Sequence, residues 1–137
     1  MMTDFTGKTA AVTGSSGIGL GAALHLARSG ARVFLAGIDA GLNNEAAALA
    51  AGEGLDMTLH QVDVADEDSV RSWAGQIAGE TDVLHALVNA AGQQTYGTVE
   101  DTGPADWDHC MAVNLRSYYL TSHCLLYTSD AADESSS

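Results

Sequence analysis

The sequence predicts an α/β fold built on a doubly wound parallel sheet, and three observations carry that expectation. Short apolar and β-branched runs alternate with stretches in which small and apolar residues recur at helical spacing. Helical stretches, not tight hairpin turns, join successive runs, which favours parallel pairing with both sheet faces covered. A glycine-rich turn stands between the first run and the first helical stretch.

The first run is TAAVT at 9–13, followed at once by glycines; LGAALHLARSGA then has helical spacing that Gly30 ends. RVFLAG at 32–37 reads as a second, buried strand. The cycle repeats with a helix at about 42–51, strand MTLHQV at 57–62, a helix at about 67–79 and strand LHALVN at 84–89. A fourth helix follows, with Thr102 or Asp106 as cap and Pro104 suited to a first turn. On it Trp107, Met111, Asn114 and Tyr118 fall in one stripe, with Cys110, Val113, Ser117, Leu120 and Cys124 beside them. That pattern predicts a helix buried on two sides, against the sheet and against another helix or subunit. The expected sheet is truncated after the fourth strand and the following helix, leaving that strand an apolar edge prone to association.

With 137 residues, 46% of them hydrophobic and 17% charged, the chain suits one globular domain. Eighteen acidic residues against five basic ones give a net charge of −13, which repels phosphate backbones and anionic membrane surfaces. Neither a nucleic acid nor a membrane is an expected partner. No stretch approaches the roughly 18 apolar residues of a membrane span and no basic-then-apolar leader is visible, so a cytoplasmic location is expected. Cys110 and Cys124, about 21 Å apart on one predicted helix at ~1.5 Å per residue, are expected to be reduced. The histidines at 25, 60, 85, 109 and 123 show no metal-ligand spacing, and no metal is expected.

Three motifs fall on one edge of the predicted sheet. In an open parallel sheet the ligand crevice lies outside the carboxyl ends of the strands. TGSSGIG at 13–19, Asp63 with Val64, and NAAG at 89–92 all stand there. Glycine is needed in the first because a side chain would keep the backbone from a pyrophosphate, whose charge the amides of the helix N-terminus then hold. A ligand-free tight turn is the plainer reading of these glycines taken alone.

Together with VNL at 113–115 after Trp107, these motifs resemble the classical short-chain dehydrogenase/reductase family, over roughly residues 5–124. The resemblance implies a Rossmann-type fold and an oxidoreductase that transfers hydride between NAD(P) and a carbonyl or secondary alcohol. It also implies a small-molecule substrate and a homo-oligomer. By it Gly14, Ser15, Ser16, Gly17, Ile18 and Gly19 cradle the dinucleotide, while Asp63 and Val64 hold its adenine end. Asn89, Ala90, Ala91 and Gly92 line the nicotinamide-ribose side, and Asn114 is the catalytic asparagine that positions a water in the proton relay. Gln94 stands where relatives acting on small hydroxy acids place a substrate contact.

Two departures from the family pattern matter. Only Ser15 and Ser16 separate Gly14 from Gly17, one residue fewer than usual, so a tighter phosphate loop is expected. Gly37 occupies the place where an acidic residue closing the second strand normally selects NAD, with Asp39 two positions on. Ser15, Ser16, Gly37 and Ile38 supply no positive charge for a 2′-phosphate, so NAD is favoured, with Asp39 as the ribose partner.

The family's acid, a tyrosine with a lysine four residues on, has no counterpart, for Lys8 is the only lysine. The expectation is a fragment holding the cofactor half, inactive by itself; a non-catalytic nucleotide-binding module is the alternative. Domain organisation is read accordingly: 1–123 as the N-terminal part of the dinucleotide-binding domain, 124–137 as a non-native or disordered tail. Within the latter, CLLYTSDAADE at 124–134 resembles a translated sequencing adapter.

Overall fold

The computed structural model describes residues 4–136, and the side chains up to residue 126. Four strands, β1 (Thr9–Thr13), β2 (Arg32–Gly37), β3 (Met57–Gln61) and β4 (Ala86–Asn89), form one parallel sheet in the order β3-β2-β1-β4. Helices α1 (Gly17–Arg28), α2 (Ala40–Gly52) and α3 (Glu67–Glu80) make the crossovers, and α4 (Pro104–Met111) and α5 (Ser117–Ser136) follow β4. The crossover from β3 passes over two strands to reach β4 beside β1, which opens a topological switch point between β1 and β4.

Two cores form because successive strand residues face opposite ways. On one face Phe34 and Ala36 of β2 pack with Trp73 and Ile77 of α3 and Leu120 and Leu125 of α5. On the other, Val33 and Leu35 meet Ala23 and Ala27 of α1 and Ala46 of α2. The alanines on α1 and α2 allow the helices to approach the sheet closely.

Strand β4 is two residues shorter than its apolar run suggests. Thr9 N–H donates to His85 Nδ1 (3.0 Å), and the Thr9 hydroxyl bonds the Val83 carbonyl. Side chains thus replace part of the ladder at that end, although His85 N–H still donates to the Thr9 carbonyl (2.9 Å).

The fourth predicted helix differs more. Between α4 and α5, Ala112–Arg116 forms a π-helical stretch. One extra residue in a turn rotates everything beyond it by about 100°. The stripe expected to run from Trp107 through Tyr118 is therefore broken, and no residue of α4 is buried. Trp107 is 61% exposed, whereas on the second face Ser117, Leu120 and Cys124 are buried, with Thr121 and Leu125 beside them, and Cys110 and Val113 are half-buried. Helix α5 runs through Ser136, and Cys124 and Leu125 pack into the α3-side core. The side chains of the rest of the expected tail, 127–137, lie outside the described residues.

His60 on β3 lies between Phe34 and Trp73, with ring centroids 6.0 and 6.4 Å away, and its Nδ1 donates to Gln76 Oε1 (2.9 Å). Its Nε2 is buried without a hydrogen-bond partner. Burial holds the imidazole pKa below its ordinary value of 6.5, against smaller upward pulls from Gln76 and Glu80. A depressed histidine pKa means the unfolded chain binds the proton first, so stability falls as pH drops through about 6.5. In urea titrations from pH 7.5 to 5.5 the wild-type midpoint is expected to fall more steeply than that of His60→Phe; parallel curves would remove His60 as the source.

Candidate functional site

At the carboxyl end of the sheet the chain makes a cleft of about 300 Å³. One wall is the β1–α1 turn with Gly14, Ser15 and Ser16; a second is the end of β2 with Ala36, Gly37, Ile38 and Asp39. Val62, Asp63 and Val64 follow β3, and Ala90, Ala91 and Gly92 follow β4. The three sequence motifs therefore meet in one place.

The geometry at the floor explains the glycines. Gly14 has φ +101°, a conformation strained for other residues, and a β-carbon there would sit 3.1 Å from the backbone of Ala90 and Ala91. A β-carbon on Gly19 would lie 2.0 Å from the Gly14 carbonyl oxygen, so helix α1 can start directly on the strand end only with glycine at that position. Thr13 joins β1 to the opposite wall: its hydroxyl accepts from Ala90 N–H (3.1 Å) and Ala91 N–H (3.2 Å).

The N-termini of the three crossover helices differ in a way that marks one of them. Asp39 caps α2 by accepting from Leu42 N–H (2.9 Å), and Asp66 caps α3 by accepting from Asp68 N–H (3.1 Å). At α1 the N-cap Ser16 makes no side-chain cap bond, and no acid stands in the first turn. The amides of that turn are thus left for a group outside the helix, and the helix dipole favours an anion there. The glycine turn, one residue short, still presents this end to the cleft.

The remaining residues singled out in the sequence take other places. Gly17 and Ile18 belong to the exposed first turn of α1, Ile18 being 84% exposed. Asn89 Oδ1 accepts from the buried Thr121 hydroxyl (2.6 Å), tying β4 to α5. Asn114, in the π-helical stretch, accepts from Gln93 N–H (2.8 Å) and donates to the Gln93 carbonyl (2.6 Å). It thereby clamps the strand-end loop that carries NAAG. Asp39 lines the cleft, but its Oδ1 is occupied with the α2 cap. Asp63 likewise uses Oδ1 to accept from Ala65 N–H (3.0 Å).

Two lining residues, Gln93 and His109, escape a motif-based reading. Gln93, His109 and Val113 complete the wall toward α4, with His109 Nε2 2.8 Å from Gln93 Oε1. The only sequence signal for Gln93 and His109 is proximity to NAAG and VNL, whereas Val113 is the first residue of VNL. Among the described residues no arginine or lysine lines the cleft. Arg28 pairs with Glu53 and Arg32 with Glu80, both away from it.

Comparison with known proteins agrees with this architecture. A metagenomic short-chain oxidoreductase solved in complex with NADP superposes with a TM-score of 0.88 at 30% identity, over 95% of this chain and 60% of its own. A Serratia marcescens short-chain dehydrogenase/reductase mutant gives 0.85 at 30% identity, covering 92% and 52%. The D-beta-hydroxybutyrate dehydrogenase of Cupriavidus necator is 38% identical over 124 residues, 88% of this chain and 47% of that enzyme. The D-threitol dehydrogenase of Mycolicibacterium smegmatis is 42% identical over 119 residues, 83% and 44%. The chain thus spans about half the length of the curated relatives it matches. A family model for short chain dehydrogenase matches residues 8–134, and the chain belongs to that family.

Proposed function

We propose that this chain supplies the dinucleotide-binding half of an oxidoreductase that moves hydride between a nicotinamide cofactor and a carbonyl or secondary alcohol. The observation that carries the reading is the uncapped N-terminus of α1, set over a glycine turn in which the β-carbon positions of Gly14 and Gly19 are closed off by neighbouring backbone. In it the first-turn amides of α1 at Gly17–Gly19 take the pyrophosphate over the turn Gly14–Ser16, Asp63 and Val64 the adenine, and Ala90–Gly92 with Asn89 the ribose side. When bound, the cofactor supplies or accepts the hydride; the chain's own residues bind it and orient it. Asn114 acts through the loop it holds and through an ordered water. With Lys8 the only lysine, the chain is expected to bind dinucleotide without turning it over.

NAD is favoured over NADP because the cleft carries Asp39 and no cation to meet a 2′-phosphate. The substrate is a small hydroxy acid or polyol, as the names of two relatives suggest and as Gln94 supports, its amide oxygen held by the Tyr96 hydroxyl (2.6 Å). Trp107, Leu115 and Tyr119, each about 60% exposed, are the apolar surface for a homo-oligomer. No helix among the described residues is long and apolar enough to cross a membrane, in keeping with a cytoplasmic enzyme.

Calorimetric titration tests the reading: NAD should bind saturably and more tightly than NADP. Ile38 is 64% exposed and lines the cleft just past the end of β2. Ile38→Arg should improve NADP affinity about tenfold through a charge-assisted bond. Unchanged selectivity would place the ribose elsewhere.

A further inference from the structure

The wall formed by the end of β2 contains a buried polar group that the site as described does not use. Asn43 of α2 is 6% exposed. Its Nδ2 donates to the Gly37 carbonyl (2.9 Å) and lies 3.5 Å from the His60 carbonyl. Two carbonyls around one end of the amide fix which atom is nitrogen. Oδ1 is therefore the opposite end, and it has no hydrogen-bond partner.

The orphaned oxygen is aimed at the cleft wall. A β-carbon added to Gly37 would lie 2.1 Å from Ser15 Oγ and 2.3 Å from Asn43 Oδ1. The two oxygens thus fill the place a side chain at Gly37 would take, at the strand end where dinucleotide-binding chains place the acid that holds a ribose hydroxyl. Ser15 is itself 6% exposed, and both it and Gly37 line the cleft. No acid fits at Gly37 without displacing these atoms.

Resting on the dinucleotide reading above, we propose that Asn43 Oδ1 accepts the Ser15 hydroxyl proton when the cofactor binds, and that this sets the preference for NAD. With its proton turned inward, Ser15 Oγ meets the adenosine ribose as an acceptor. The 2′-hydroxyl of NAD donates to it, so both oxygens become satisfied. The 2′-phosphate of NADP offers only acceptor oxygens, and meets lone pairs on Ser15 and the Asp39 carboxylate. Asn43 is in this sense a positioning residue: it acts on the ligand through the direction of the Ser15 hydroxyl. An unpaired buried acceptor is costly, and a hydroxyl proton turned toward Asn43 Oδ1 offsets that cost.

Calorimetry with NAD, NADP and 2′-deoxy-NAD on wild type, Asn43→Leu and Ser15→Ala tests this. Leucine keeps the volume, removes the acceptor and frees the Ser15 hydroxyl to turn outward. Asn43→Leu is expected to weaken NAD about fivefold and strengthen NADP, moving the two ligands in opposite directions. It should leave 2′-deoxy-NAD unchanged, and should not alter selectivity further in a Ser15→Ala background. A merely structural role for Asn43 would weaken all three ligands together, and that result overturns the assignment. Wild type binding none of the three would overturn the dinucleotide reading itself, and the assignment with it.

Discussion

Gly19→Ala should cost the chain about 3 kcal/mol of stability and lower dinucleotide affinity at least tenfold. The added methyl would stand 2.0 Å from the Gly14 carbonyl oxygen and 3.0 Å from that of Thr13. Both belong to backbone that is fixed in the sheet, since Gly14 N–H donates to the Ala36 carbonyl (2.8 Å) and Thr13 pairs with Ala36 and Asn89. The only relief is to move α1 away from β1, which pulls its first turn out of the cleft. Gly21 provides the contrast. It lies in the same helix, and a β-carbon there would meet nothing within 4 Å. Gly21→Ala should stabilise the chain by about 0.5–1 kcal/mol, as removal of a helical glycine does elsewhere. Urea denaturation of the two variants side by side separates a steric effect at Gly19 from a general effect of alanine in α1. Equal midpoints would mean that the helix can start farther from the strand without loss.

Trp73→Ala should be comparably severe, about 3–5 kcal/mol. The indole is 1% exposed and fills the α3-side core beside Phe34, Val70 and Ile77. Its Nε1 is buried without a hydrogen-bond partner, so the ring contributes through volume and not through its polar atom. Trp73→Phe keeps much of that volume and removes the orphaned donor. It is expected to cost well under half as much as alanine, and denaturation midpoints that place phenylalanine near alanine would show that the N–H has a role in the fold.

The sheet was legible because its information is local. Each βα cycle announces itself through an apolar run and a change of period, and the resulting strands all pair in parallel. The order β3-β2-β1-β4, which the motifs alone did not give, sets the glycine turn after β1 beside NAAG after β4 at the switch point. The π-helical stretch at Ala112–Arg116 was not legible, since nothing in AVNLR differs from ordinary helical sequence. Its consequence, the exposure of Trp107, contradicts the continuous stripe because the stripe assumes one unbroken period. Asn43 was equally hidden. In LNNEAA an asparagine reads as helix surface, and only contact with Gly37 and His60 reveals it as a buried group at the cleft wall. Asp39 shows the reverse: the sequence marks it as a ligand residue, and the structure shows it also capping α2.

The contrast among the three crossover helices has one more consequence. Helices α2 and α3 carry their own caps, Asp39 and Asp66, whereas α1 has none. An anion seated in the cleft would complete α1 as those aspartates complete its neighbours. Occupancy and fraying of the first turn are then a single equilibrium: a change that loosens Gly17–Gly19 weakens the ligand, and a bound ligand protects those amides from exchange with solvent.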